Sequence, residues 1–234
     1  LKMRFLSNVL STIVGIFLFC FIFFFFIIII GAIAGSGDGK PTLKKNSVIE
    51  LDLSEITLDY NGTFEPSPFE ALLDQKKKAS VIEVIDAIET AKTDKDIKGI
   101  SILKNNLSIG LAQSKAIRNK LEEFKKSGKF VYAYSDVLSQ KDYYLNSVAD
   151  QVYLNPVGEL DFKGLASEVI YMKDLQEKSG VKFEVIRHGK YKSAVEPFLA
   201  QEMSPENREQ VTVLLQSIWE TVVTDISVSR KIDV

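Results

Sequence analysis

Between Phe5 and Gly37 the chain carries no charged residue, and residues 23–30 form an unbroken run of phenylalanine and isoleucine. About 20 consecutive apolar residues suffice to cross the hydrocarbon core as a helix, so this stretch fixes one element before anything else is considered. A cleaved leader is the competing reading, because Ala32-Ile33-Ala34 has the small-residue spacing of a cleavage site. The apolar region of a leader is usually about 7–15 residues, and this one is longer, which favours an uncleaved anchor. The expected organisation is a cytoplasmic N-terminus over residues 1–8, a transmembrane anchor over 9–34, a linker over 35–46 and a domain over 47–234. Charge alone leaves orientation close to a tie: Lys2 and Arg4 precede the span, and Lys40, Lys44 and Lys45 follow it. The chain opens Leu1-Lys2-Met3 and stops at Val234 beyond a helical pattern, so it reads as a piece of a longer chain.

The remaining totals exclude several kinds of chemistry. A net charge of −2 argues against a nucleic-acid binder, which would show a basic stripe. The single cysteine, Cys20, sits inside the apolar run, so neither an intrachain disulfide nor a cysteine-rich metal site can form. No G-x-S-x-G elbow, P-loop or G-x-G-x-x-G opens a helix, and no carboxylate/histidine cluster has ligand spacing. No cofactor or metal is expected. His188, the only histidine, reads as a solvated residue at a strand exit. Lys76 to Lys78 read as a surface run, and the sequon at Asn61-Gly62-Thr63 is a common chance match.

Beyond the linker, strand and helix patterns alternate. Residues 48–53 alternate as a strand, and Pro66 and Pro68 break the stretch that follows. Ser80 and Glu83 make a capping-box pair ahead of a helix lined by Val81, Ile85 and Ile88. Strands are expected at 97–103, 129–135, 151–155 and 181–187, with helices at 112–126, 141–149 and 168–178. Ser204 caps a last helix with Pro205 at its first position, along which Val211, Leu214, Leu215, Ile218, Val222 and Ile226 recur at helical spacing. This alternation predicts an α/β fold with a mostly parallel sheet.

One segment carries chemistry. Tyr191-Lys192-Ser193-Ala194-Val195-Glu196-Pro197-Phe198 follows the expected strand 181–187, and Met203-Ser204-Pro205 opens the last helix. This stretch resembles the signal peptide peptidase family of the protease IV type, in which Y-K-S-A-x-E-P-F supplies a catalytic lysine. The resemblance extends loosely from residue 48 to the end, including Tyr143-Tyr144 and Ala149-Asp150. It implies a crotonase/Clp-peptidase-like spiral of β-β-α units behind one N-terminal transmembrane helix. It also implies a Ser/Lys dyad with Lys192 as general base and Ser193 as an orienting residue. Signal peptides are the implied substrates, the bilayer and a ring-like homo-oligomer such as a tetramer the implied partners. The implied setting is the bacterial inner membrane, with the domain on the extracytoplasmic side. A free lysine is protonated at neutral pH, so a base must have its pKa lowered by burial. Tyr191, Ala194, Val195, Pro197 and Phe198 are the apolar residues available to wall Lys192 in.

The nucleophile is where the chain departs from the pattern. Short family members carry A-S-G-G-Y-Y, whereas this chain has Leu138-Ser139-Gln140-Lys141-Asp142-Tyr143-Tyr144. Gln140 falls at the serine position, both glycines are replaced, and Ser139 is one place off. The two-repeat members divide the dyad in this way, so the expectation is a first repeat that is inactive alone, cut off before the second. A non-catalytic anchored scaffold of the same fold is the alternative. A crotonase-type acyl-CoA enzyme is a third reading on fold analogy alone.

Overall fold

The computed structural model describes residues 2–35, 43–56, 59–60, 78–186, 188–189 and 191–234. The sequon at 61–63, Pro66, Pro68, Lys76, Lys77, linker residues 36–42, Arg187 and Lys190 lie outside them. The chain divides into two compact units, Leu1–Lys44 and Lys45–Val234.

Residues 2–35 of the first unit form one helix, α1 (Lys2–Gly35). Its stretch Ser7–Ile30 is long and apolar enough to cross a membrane. At 1.5 Å per residue those 24 residues span about 36 Å. No polar face interrupts its middle, where phenylalanines pair one turn apart, Phe19 with Phe23 and Phe21 with Phe25. A helix apolar on all sides has no use for a water-facing side.

The second unit is α/β, as the alternation predicts. Its strands are β1 (Ser47–Asp52), β2 (Ile97–Lys104), β3 (Phe130–Leu138) and β4 (Gln151–Leu160). They lie side by side in chain order, and every pairing is parallel. Parallel neighbours need crossovers, and these are the helices α2 (Val81–Thr93), α3 (Leu111–Lys125) and α4 (Gln140–Asn146). Right-handed crossovers repeated in one direction stack the helices on one face. Accordingly α2 packs on α3 and α3 on α4. The Ser80–Glu83 capping box forms: the Glu83 N–H donates to Ser80 Oγ at 3.2 Å, and the Ser80 N–H donates to Glu83 Oε2 at 2.8 Å.

The core lies between that helical layer and the sheet. Ile100, Ile102, Val131 and Ala133 point into it from the strands; Val84, Ile88, Ile117, Leu121 and Phe124 meet them from α2 and α3. The period-2 alternation of β3 leaves Tyr132 and Tyr134 exposed on the other face, where the Tyr132 ring stacks on Phe130 at 4.7 Å. Phe130 lies across β2 at Gly99, where a Cβ would collide with its ring. Strands β3 and β4 pair twice, Ser135 with Leu154 and then Val137 with Glu159, and the surplus residues of β4 bulge outward. At the bulge the Gly158 backbone runs against the Asp136 carbonyl, leaving no room for a side chain.

After β4 the chain is irregular until α5 (Lys173–Ser179), which ends at Gly180 in the left-handed conformation (φ +73°). The helix expected over 168–178 therefore begins five residues later. The strand expected over 181–187 does not form within the described residues: 181–186 has no ladder, and Val181, Phe183 and Ile186 are exposed. Alternation makes a segment fit for a sheet, but a strand also needs a partner edge. A 3-10 turn (Ser193–Val195) then leads into the one-turn helix α6 (Glu196–Leu199) and the long α7 (Pro205–Arg230). Of the stripe expected on α7, Val222 and Ile226 are buried, packing with Tyr144, whereas Leu214 is 59% exposed. The apolar pattern runs the length of α7, but of that stripe only Val222 and Ile226, toward its C-terminus, are fully buried.

Candidate active site

Lys192 stands at the entry of the 3-10 turn, and the Glu196 N–H donates to the Ser193 carbonyl to close that turn. Lys192 is exposed, as are Tyr191 and Ala194; Ser193, Val195, Pro197 and Phe198 are half-buried. The apolar walls expected around Lys192 therefore do not close over it within this chain. Pro197 and Phe198 are engaged with α5 and the segment after it: the Met172 N–H donates to the Pro197 carbonyl at 2.7 Å, Gln176 Nε2 donates to the Phe198 carbonyl at 3.0 Å, and the Phe183 and Phe198 rings lie 5.1 Å apart. On its outer side Lys192 borders an open concavity of about 490 Å³ with Ile186, His188, Tyr191 and Ser193. His188 is exposed there, as its isolation in the sequence suggests.

Four residues beyond Lys192, Glu196 is buried. Its carboxylate accepts from Ser204 Oγ at 2.5 Å, from Asn207 Nδ2 at 2.9 Å and from the Ser204 N–H at 3.4 Å. Ser204 is the N-cap of α7, and its Oγ accepts from the Asn207 N–H at 3.1 Å. A capping box normally draws its carboxylate from the third helical residue. That residue here is Asn207, and Glu196 supplies the carboxylate from upstream. The sequence reading missed this role; an S-P-E-N start without Glu at the third position was the available signal.

The region expected to carry a nucleophile in shorter relatives is occupied by structural bonds. Ser139 is the N-cap of α4: its Oγ accepts from the Asp142 N–H at 3.2 Å and donates to Asp142 Oδ2 at 2.6 Å. Asp142, buried, also accepts at Oδ1 from the N–H groups of Asn106 (3.1 Å) and Leu107 (2.9 Å). Those bonds hold Asn106 in a left-handed conformation, φ +83°. The Gln140 side chain pairs twice with the Gly164 backbone, accepting from its N–H at 2.8 Å and donating to its carbonyl at 3.2 Å. Ser139 and Gln140 border a cleft of about 440 Å³ that Leu111, Tyr144, Leu165 and Val222 make largely apolar. Among the described residues no group of His, Cys, Asp and Glu is placed to hold a metal ion.

Tyr144 joins this region to α7. Its hydroxyl donates to Asp225 Oδ2 at 2.6 Å, and Lys115 Nζ pairs with the same oxygen at 2.7 Å. Arg118, buried, donates to the Tyr144 carbonyl at 3.1 Å and to the Asp225 carbonyl and Ser229 Oγ, both at 2.6 Å. Burial pushes the Tyr144 phenol upward, and the Asp225 carboxylate adds to that shift. For Asp225, burial acts upward, but the bonds from Lys115 and Tyr144 outweigh it and hold the carboxyl below its usual range.

Residues 123–234 match the family described as Peptidase family S49. The chain is 34% identical over 205 residues to "Protease 4" of Salmonella typhi, covering 85% of this chain and 33% of that protein. It is 40% identical over 158 residues to "Protease 4" of Haemophilus influenzae, covering 67% of this chain and 26% of that protein. It is 33% identical over 147 residues to "Serine protease SPPA, chloroplastic" of Arabidopsis thaliana, covering 62% of this chain and 22% of that protein. The chain thus spans a third or less of the length of these relatives. The matched region contains the Lys192 turn, its Glu196 clamp and the parallel β3–β4 pair, and with it this chain belongs to peptidase family S49.

Proposed function

We propose that this chain is the first-repeat part of a membrane-anchored serine endopeptidase and that Lys192 is its general base. The observation that carries the reading is the unbroken stretch 191–198, which lies inside the family match and is folded into a defined turn at the start of α7. In this reading the nucleophilic serine lies outside the 234 residues, because Ser139 is committed as a helix cap and Gln140 stands at the serine position. The Lys192 amine takes the proton of that serine hydroxyl as the oxygen attacks a peptide carbonyl. The Lys192 ammonium passes that proton to the amine that leaves as the peptide C–N bond breaks, and the acyl-enzyme so formed is hydrolysed by water, whose proton Lys192 takes and returns to the serine oxygen. Burial away from water is what favours the neutral form of a lysine, so in this reading the surface that brings the serine also covers Lys192. Ser193, beside it, orients the amine. Helix α1 anchors the domain in the bilayer on the extracytoplasmic side, where apolar peptides such as cleaved signal peptides are the substrates, and the working form is a homo-oligomer.

The test is hydrolysis of apolar peptides by the full-length protein, beside its Lys192→Ala variant and the 234-residue chain. Removing a general base costs about 10²- to 10⁴-fold. Lys192→Ala is expected to keep only the residual rate that this factor leaves, and the 234-residue chain to be inactive; a Lys192→Ala protein of undiminished rate sinks the assignment. The Gln140–Gly164 pair favours a second reading, an anchored scaffold that has lost its nucleophile. Inactivity of the folded full-length protein on every peptide tried would put that reading first.

A further inference from the structure

We propose that Glu196 is the positioning residue for Lys192, holding the catalytic turn on the N-terminus of α7. This rests on the reading of Lys192 as general base and adds to it the means by which an exposed lysine on an irregular segment is given a fixed direction.

The lysine turn belongs to no sheet, and the bonds from Met172 and Gln176 hold the chain just beyond it, at Pro197 and Phe198. It follows residues 181–186, which join no sheet, and Lys192 itself is exposed. Glu196 is 5% exposed, and burying a carboxylate is costly unless its oxygens are bonded. Ser204 Oγ, the Ser204 N–H and Asn207 Nδ2, which donate to it, belong to the first turn of α7 or its cap. A negative charge is also favoured at the positive end of a helix. Upstream, the Glu196 N–H closes the 3-10 turn whose first flanking residue is Lys192. Downstream, Pro197 fixes φ at the next position, and the Ala200 N–H returns to the Glu196 carbonyl at 2.8 Å. Backbone and side chain of one residue therefore tie the lysine turn to a 26-residue helix. That helix is itself anchored at its far end by Asp225, through Tyr144 and Lys115, and by Arg118. A displacement of the base by 1 Å can cost about 100-fold in rate.

The experiment compares the full-length protein in detergent with Glu196→Ala, Glu196→Gln, Lys192→Ala and the Lys192→Ala/Glu196→Ala pair. Three quantities are read: kcat and KM, the thermal midpoint, and amide hydrogen exchange. Glu196→Ala should lower kcat by about 100-fold while KM stays within about twofold. Exchange should quicken at residues 191–195 and stay unchanged in β2 and β3. In the Lys192→Ala background Glu196→Ala should cost no further activity, because it acts only through the lysine. Glu196→Gln, equal in size, is read the same way should the alanine variant not fold. Wild-type kcat and wild-type exchange at the turn in a Glu196 variant overturn the proposal. So does a rate loss matched by equally faster exchange in β2 and β3, which marks general destabilisation. Full activity in Lys192→Ala overturns the general-base reading and this proposal with it. An inactive Lys192→Ala beside a wild-type-like Glu196→Ala overturns this proposal alone.

Discussion

Tyr144 on α4 and Asp225 on α7 share a hydrogen bond of 2.6 Å across 81 residues of chain. Both side chains titrate away from their ordinary values, and each shift has a consequence for stability. The depressed Asp225 carboxyl contributes stability that is present above the ordinary carboxylate value of 3.8 and is lost as pH falls through its lower folded value. The raised Tyr144 phenol works at the other end. Its contribution is complete below the ordinary value of 10.0 and is lost as pH rises beyond it, because the unfolded chain then ionises first. Urea unfolding of residues 45–234 against pH should show both limbs. Asp225→Asn should flatten the acid limb, and Tyr144→Phe the alkaline one.

Gln140 blocks the simplest route to restoring a nucleophile. Gln140→Ser places a hydroxyl at the family position but leaves Lys141 and Asp142 where glycines are needed for close substrate approach. We expect no covalent labelling of Gln140→Ser by a fluorophosphonate probe, read by mass spectrometry. Loss of the two bonds to Gly164 should lower stability by about 1–3 kcal/mol. A labelled serine at 140 would show that the site needs only its nucleophile.

Ser80→Ala removes the cap of α2 and should cost about 1 kcal/mol. The denaturation midpoint should fall while its slope stays constant, since the surface exposed on unfolding is the same.

The two faces of the sheet should respond differently to truncation. Phe124→Ala, at a fully buried position between α3 and the sheet, should cost about 3–5 kcal/mol. Tyr153→Ala, on the open face at 54% exposed, should stay within about 0.5 kcal/mol in the isolated domain. A large loss at Tyr153 would mean that the open face is covered.

Gly158→Ala forces a methyl group against the Asp136 carbonyl and should cost about 1–3 kcal/mol by displacing the bulge of β4. Gly128→Ala is a useful contrast. No atom lies within 4 Å of its added Cβ, so its cost comes only from the left-handed backbone (φ +83°).

What the sequence by itself determined was local. The apolar run of α1, the Ser80–Glu83 box, the Ser204-Pro205 start of α7 and the order of the first four strands and their helices all rest on neighbours a few residues apart. Such neighbours are present whatever the rest of the chain does. The Lys192 segment was legible for a related reason, being a continuous stretch. The tertiary structure alone decided the rest. Residues 181–186 alternate as a strand should, yet whether they pair depends on an edge supplied from elsewhere. The stripe of α7 fits one helix face, yet of it only Val222 and Ile226, which meet Tyr144, are fully buried. Glu196 stands in the sequence as one letter of the lysine stretch and Gln140 as a replacement at the serine position; only the fold brings Ser204 and Asn207 against the one and Gly164 against the other. A buried polar group is defined by donors and acceptors brought from other parts of the chain, and no local periodicity encodes where those will be.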